Sequence, residues 1–179
     1  SKPTDLHKLE DALKANPDAK AVAFVHAETS TGVRNDAKAL CALARQYDCL
    51  TIVDAVTSLG IELDVDGWQI DAIYSGTQKC LSCVPGLSPI SFSQQAVDVI
   101  KNRKTKVQSW FLDMELVMAY WGQGGKRAYH HTAPVNSIYA LHESLRILYN
   151  EGLQAAWQRH TDMHLALKAG IENIGLDIR

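Results

Sequence analysis

Two short apolar runs, AVAFV at residues 21–25 and LTIV at residues 50–53, constrain this fold more than any other feature. Between them Ala37, Leu40, Cys41, Ala44 and Tyr47 are spaced to mark one face of a helix. Near-continuous apolar strands joined by a helix belong to a parallel sheet, because a strand buried on both faces has no polar side to alternate with. The pattern therefore predicts a βαβ unit. A connection through Gly60 and Gly67 leads to a third run, Ala72-Ile73-Tyr74. The expected class is α/β, a mostly parallel sheet with helices on both faces.

The flanks extend this frame. Leu6, Leu9 and Leu13 predict a helix that follows Pro3, is capped by Thr4 and breaks at Asn16-Pro17. Ile90 and Phe92 alternate with serines in SPISFS as a half-buried strand does, and Ser93 is placed to cap a helix through Val97 and Ile100. Farther on, Ile138, Leu141, Leu145 and Leu148 predict one helix stopped near Gly152. Leu153, Trp157, His160, Met163, Leu167, Ile171 and Ile174 predict a second, and residues 176–178 begin to read as a strand. GQGG and the Pro134 turn interrupt the periodicity. These signals divide the chain into part of a large α/β domain (1–121), a loop and boundary (122–135), and connecting helices that open a further, incomplete domain (136–179).

Composition removes several functions. Eighteen Lys and Arg against 20 Asp and Glu give a formal net charge of -2, so no overall positive field attracts nucleic acid. The one dense basic stretch, KNRKTK at 101–106, reads as a solvated helix end. No apolar run approaches bilayer-spanning length, and no signal-peptide pattern opens the chain. Four cysteines in 179 residues are too few for a disulfide scaffold. The expectation is a soluble intracellular protein, cytoplasmic or, in a eukaryote, peroxisomal or mitochondrial, with neither a nucleic-acid nor a membrane partner.

In an open parallel sheet, ligands bind outside the carboxyl ends of the strands. Three such ends carry polar groups here: Thr29 and Ser30 after the first strand, Asp54 after the second, and Gln78-Lys79 after the third. Asp54 directly follows LTIV, where a carboxylate needs a partner, and a cap for the next turn is the plainer role for it. Lys79 could be a surface charge, a phosphate grip or a nucleophile. A lysine and an aspartate on adjacent strand ends also meet the two needs of pyridoxal phosphate, an amine for the aldehyde and an anion for the ring nitrogen. Cys80-Leu81-Ser82-Cys83 is a CxxC without a second pair, a weak signal for redox or zinc chemistry. Adjacent His130 and His131 suit an interface or a site better than a core, and they are a poor start for a metal centre.

VDAVTSLG at 53–60, YSGTQKCLSCVPG at 74–86 and AYHHTAPV at 128–135 together resemble the class V, fold-type-I aminotransferases that depend on pyridoxal phosphate, in particular the alanine–glyoxylate or serine–pyruvate aminotransferase group. The resemblance covers nearly the whole chain. It implies that Lys79 is the Schiff-base lysine, that Asp54 partners the pyridine nitrogen, and that Val56 packs on the ring. It further implies Thr29 near the phenolic oxygen and Gln78 on the phosphate. Tyr129 and Thr132 would bind the phosphate of the neighbouring subunit, which makes the protein a homodimer acting on a small amino acid and a 2-oxo acid. Family members are much longer. The resemblance therefore places the main phosphate cup upstream of Ser1 and the arginine for the substrate carboxylate downstream of Arg179. In the family the stretch after the lysine usually holds small residues and prolines, in place of Cys83-Val84. A non-catalytic domain of the same fold, or another class V enzyme such as a cysteine desulfurase, are the alternatives.

Overall fold

The computed structural model describes residues 2–121 and 128–176. The GQGG break and most of the strand expected at 176–178 lie outside the described residues. Helix α1 (Leu6–Ala15) leads into β1 (Ala21–Val25), a two-stranded hairpin of β2 (Ala27–Glu28) and β3 (Val33–Arg34), α2 (Ala37–Gln46), β4 (Leu50–Asp54) and β5 (Ala72–Tyr74). Strand β6 (Ile90–Phe92), α3 (Gln94–Lys101), a 3-10 turn at Trp110–Leu112, α4 (Met114–Tyr120), α5 (Val135–Glu151) and α6 (Leu153–Asn173) complete the order. The main sheet runs β1-β4-β5-β6, with the first three strands parallel and β6 antiparallel to β5.

Helix α2 covers one face of this sheet. Asp36 caps it by accepting from the Ala39 amide, and Ala37, Leu40, Cys41 and Ala44 are buried along one stripe. Three of these are small, so the helix can lie close to β4, and Leu40 alone contributes about 2 kcal/mol by leaving water. Beneath it Cys41, Val53, Ala55, Ile70 and Ile73 form the main core cluster, with Phe24, Leu63, Val65 and Trp68 packed at its rim. The opposite face is more open: Ile52 is 39% exposed, Tyr74 40% and Ile90 49%.

Strand register is tied down at the amino edge of the sheet. Asp71 is buried, and its Oδ2 accepts from the amide and the hydroxyl of Thr51 while its Oδ1 accepts from the Ser93 hydroxyl. The Asp71 amide donates back to Thr51 Oγ1, and the Arg45 guanidinium lies 3.6 Å from the carboxylate. The same Ser93 oxygen accepts from the Ala96 amide and caps α3, as its sequence position suggests. One carboxylate thus joins β4, β5 and the β6–α3 corner.

Three local features differ from expectation. The cap of α1 is Asp5, which accepts from the His7 amide, while the Thr4 amide is taken by Asn35. The polar loop at 26–32 forms β2 and the turn of the β2–β3 hairpin, whose two-residue strands are too short to show alternation. Helix α4 has only two turns, capped by Asp113 accepting from Glu115 and Leu116, which is too short for a helical period to stand out.

Candidate active site at the carboxyl edge of the sheet

Asp54 and Tyr74 are the last residues of β4 and β5 and are direct partners in the parallel register. The Tyr74 hydroxyl donates to Asp54 Oδ2 at 2.8 Å, and the Val56 amide donates to Asp54 Oδ1 at 2.8 Å. Each carboxylate oxygen therefore holds one donor and keeps acceptor capacity for another. Asp54 does cap the following turn, as its plainer role predicts. Val56 is half-buried immediately beside it.

Stitching continues past the strand ends. The His26 amide donates to the Asp54 carbonyl, the Ala55 amide to the Tyr74 carbonyl, and the Ser75 hydroxyl to the Ala55 carbonyl. His26 is buried, with Nδ1 2.9 Å from Ser58 Oγ and its ring edge-on to Trp68. Burial first, and then the charge of Arg34, hold the proton affinity of His26 below that of an ordinary histidine. Thr29 Oγ1 lies 2.7 Å from Thr57 Oγ1. Two side-chain bridges, His26–Ser58 and Thr29–Thr57, thus join the loop after β1 to the turn after β4.

Lys79 follows β5 on a turn clamped against that same structure. Within the turn the Ser82 amide donates to the Lys79 carbonyl and the Cys83 amide to the Thr77 carbonyl, while the buried Thr77 hydroxyl donates to the Val84 carbonyl. The Ser144 hydroxyl of α5 donates to the Leu81 carbonyl. The Cys80 thiol donates to the Thr57 carbonyl at 3.0 Å, and Gly60 passes so close that a Cβ there would meet Cys80 Cβ at 3.0 Å. Lys79 itself is exposed, and its ammonium group has no hydrogen-bond or ion-pair partner among the described residues. Gln78 is also exposed, and its side-chain end folds over Gly76.

The chemical claim of the CxxC is not supported here. Burial pushes the Cys80 thiol up, away from thiolate, and all four cysteines are free thiols. Among the described residues, no three His, Cys, Asp or Glu side chains gather to hold a metal ion. His130 proves to be a buried anchor: its Nε2–H donates to the Trp110 carbonyl, its ring lies 4.1 Å from the Trp110 ring, and its Nδ1 faces His131 Nδ1 at 2.7 Å. This anchor carries Tyr129 and Thr132, both exposed, with their hydroxyls 2.6 Å apart. No hydrogen bond among the described residues joins that pair to Lys79 or Asp54.

The sequence points to Thr29 with Ser30, Asp54, and Gln78-Lys79 at the strand ends, and the resemblance adds Val56; hydrogen bonds and close contacts join these three segments in the structure. Tyr74, Ser58, Thr57 and Gly60 are the members that sequence reasoning passes over. Tyr74 was legible by the signal that selects Asp54, since each closes an apolar strand at the same edge.

A sheet of this topology, with a lysine unpaired among the described residues, a held carboxylate and hydroxyls at its carboxyl edge, defines an α/β protein whose polar groups cluster where sheets of this class take ligands. The chain belongs to the class-V aminotransferases, whose family profile matches residues 2–176. It is 42% identical over 177 residues to the alanine–glyoxylate aminotransferase of Oryctolagus cuniculus, covering 97% of this chain and 44% of that protein. It is 37% identical over 187 residues to the (S)-ureidoglycine–glyoxylate transaminase of Bacillus subtilis, covering 94% of this chain and 44% of that one. The crystal structure of an alanine–glyoxylate aminotransferase from Nostoc sp. superposes with a TM-score of 0.91 at 43% identity, over 99% of this chain and 46% of that chain. The chain thus spans less than half the length of these relatives.

Proposed function

We propose that this chain carries the cofactor-anchoring part of a pyridoxal-phosphate-dependent aminotransferase that moves an amino group from a small amino acid, alanine or serine, to glyoxylate or pyruvate. The observation that carries the proposal is Lys79: exposed, unpaired among the described residues, and held by a turn packed directly on the segment of Asp54. Its donors and acceptors fit the cofactor. Lys79 offers the amine for the aldehyde, Asp54 retains acceptor capacity for a ring N–H, Val56 offers an apolar contact for the ring, Thr29 a hydroxyl for the phenolic oxygen, and Gln78 a neutral donor for the phosphate. When bound, pyridoxal phosphate supplies an electron sink for the substrate α-carbon. Lys79 Nζ would then serve as the base and acid that takes and returns the α-proton, and Asp54, fixed by two donors, would accept from the ring N–H.

Tyr129 and Thr132 complete the reading as a homodimer. Their paired hydroxyls offer donors to a phosphate, and, joined by no hydrogen bond among the described residues to this chain's own Lys79 or Asp54, they suit the site of a neighbouring subunit. The names of the relatives, two glyoxylate-using transaminases among them, support glyoxylate as acceptor. Free cysteines accord with a reducing compartment, and no described helix is long and apolar enough to cross a membrane. The second reading, a non-catalytic domain of this fold, draws on one observation: the chain spans 44% of its curated relatives, so a lone 179-residue protein would lack much of a pocket.

Incubation with pyridoxal phosphate followed by borohydride reduction and peptide mapping tests the proposal. Label on Lys79, abolished in Lys79→Ala, is the expected result. Label on other lysines, or equal label in the variant, would overturn it.

A further inference from the structure

We propose that Tyr74 is a positioning residue for Asp54, its phenol fixing the carboxylate in the orientation that a protonated ring nitrogen requires. This inference rests on the cofactor reading above and deepens it. Parallel partners emerge on the same face of a sheet about 4.8 Å apart, so the register pairing of Asp54 with Tyr74 brings the phenol alongside the carboxylate. The two donors to Asp54 approach different oxygens from different elements, Tyr74 from β5 and Val56 from the turn after β4. A carboxylate gripped at both oxygens cannot rotate about its terminal bond without losing one of them. Beneath the pair the backbone is fastened by the Ala55 amide on the Tyr74 carbonyl and the Ser75 hydroxyl on the Ala55 carbonyl.

The burial pattern says what the hydroxyl is for. Tyr74 lies 40% exposed on the open face of the sheet, near Ile52 and Ile90, and it belongs to neither core cluster. Its ring therefore adds little packing that phenylalanine would not supply. Among the described residues its hydroxyl bonds to the Asp54 carboxylate alone. That bond, followed by partial burial and the Asp54 charge, raises the phenol above its ordinary range, so it remains a proton donor wherever a transaminase works.

Two measurements on the intact protein that carries this chain test the inference. The first is a phenolate titration at the tyrosinate absorbance band. The difference between parent and Tyr74→Phe isolates the Tyr74 curve, and the same difference taken in an Asp54→Asn background is expected to move to lower pH. No movement would mean that the phenol does not hold the carboxylate and would overturn the proposal. The second is retention of pyridoxal phosphate, read as its dissociation constant. Tyr74→Phe is expected to weaken retention about 10- to 150-fold, the range for a hydrogen bond to a charged group, and to have little effect once Asp54 is Asn. Equal losses in both backgrounds would show a merely structural role and overturn the proposal. A parent that takes no cofactor at Lys79 overturns the functional reading and this inference together. A parent that takes it, with Tyr74→Phe indistinguishable, overturns only this one.

Discussion

At the scale of single residues, buried polar groups do more than the apolar ones to shape this edge. His26 is the sharpest case, being a titratable ring held neutral between Ser58 and Trp68. Its proton affinity in the fold is depressed, chiefly by burial, so the unfolded chain binds a proton more readily than the folded one. Its contribution to stability is complete above the ordinary histidine value of about 6.5 and declines as pH falls from there toward the lower folded value. Urea midpoints compared at about pH 7.5 and about pH 5.5 should fall further in the parent than in His26→Gln, which keeps a hydrogen-bonding group without the charge. Parallel behaviour of the two proteins would remove His26 from the pH response. None of this is visible in the sequence, where HAETSTG reads as a polar loop and the burial of its first residue depends on Trp68, 42 positions later.

At the scale of elements, the turn after β4 and the turn after β5 behave as one piece. Gly60 makes this contact, with φ at +119° and Cys80 filling the space where a side chain would begin. Gly60→Ala should cost about 1–3 kcal/mol, combining left-handed backbone strain with the overlap. It should also slow modification of Lys79 by pyridoxal phosphate, because the lysine turn must lift away. Chemical denaturation and the labelling rate measured on one sample check both effects, and a stable variant with unaltered labelling would contradict them. The longer helices and main strands were legible, since α2 carries a full apolar stripe and β1 and β4 near-continuous apolar runs. Helix α4, the 3-10 turn at Trp110–Leu112 and the β2–β3 hairpin were not, because one or two helical turns and two-residue strands display no full period. Site membership followed the same division: Asp54 and Lys79 stand at the ends of readable strands, whereas Thr57 and Cys80 matter through a contact between two irregular turns.

At the scale of the whole molecule, the chain exposes apolar surface on the second face of its sheet and along the segment at Trp110, Phe111 and Leu112. Patches of that kind mark places where other protein packs, and the relatives are more than twice as long as the aligned region. Prepared as 179 residues alone, the protein should self-associate in sedimentation velocity, and Ile52→Lys combined with Ile90→Lys should shift it toward monomer. A distribution insensitive to those changes would exempt the sheet face. The same sheet also separates where its alignment is decided from where its alignment is used. Asp71 meets Thr51 at the amino edge, and three residues along each strand, about 10 Å away, Tyr74 meets Asp54. Were the strands to zip together one position out of step, Tyr74 and Asp54 would turn to opposite faces of the sheet. The Asp71 knot is thus an assembly key: it admits only the pairing in which the far edge can work, and a misaligned product would be marked by an unmatched buried charge before it could persist as a folded but inert protein.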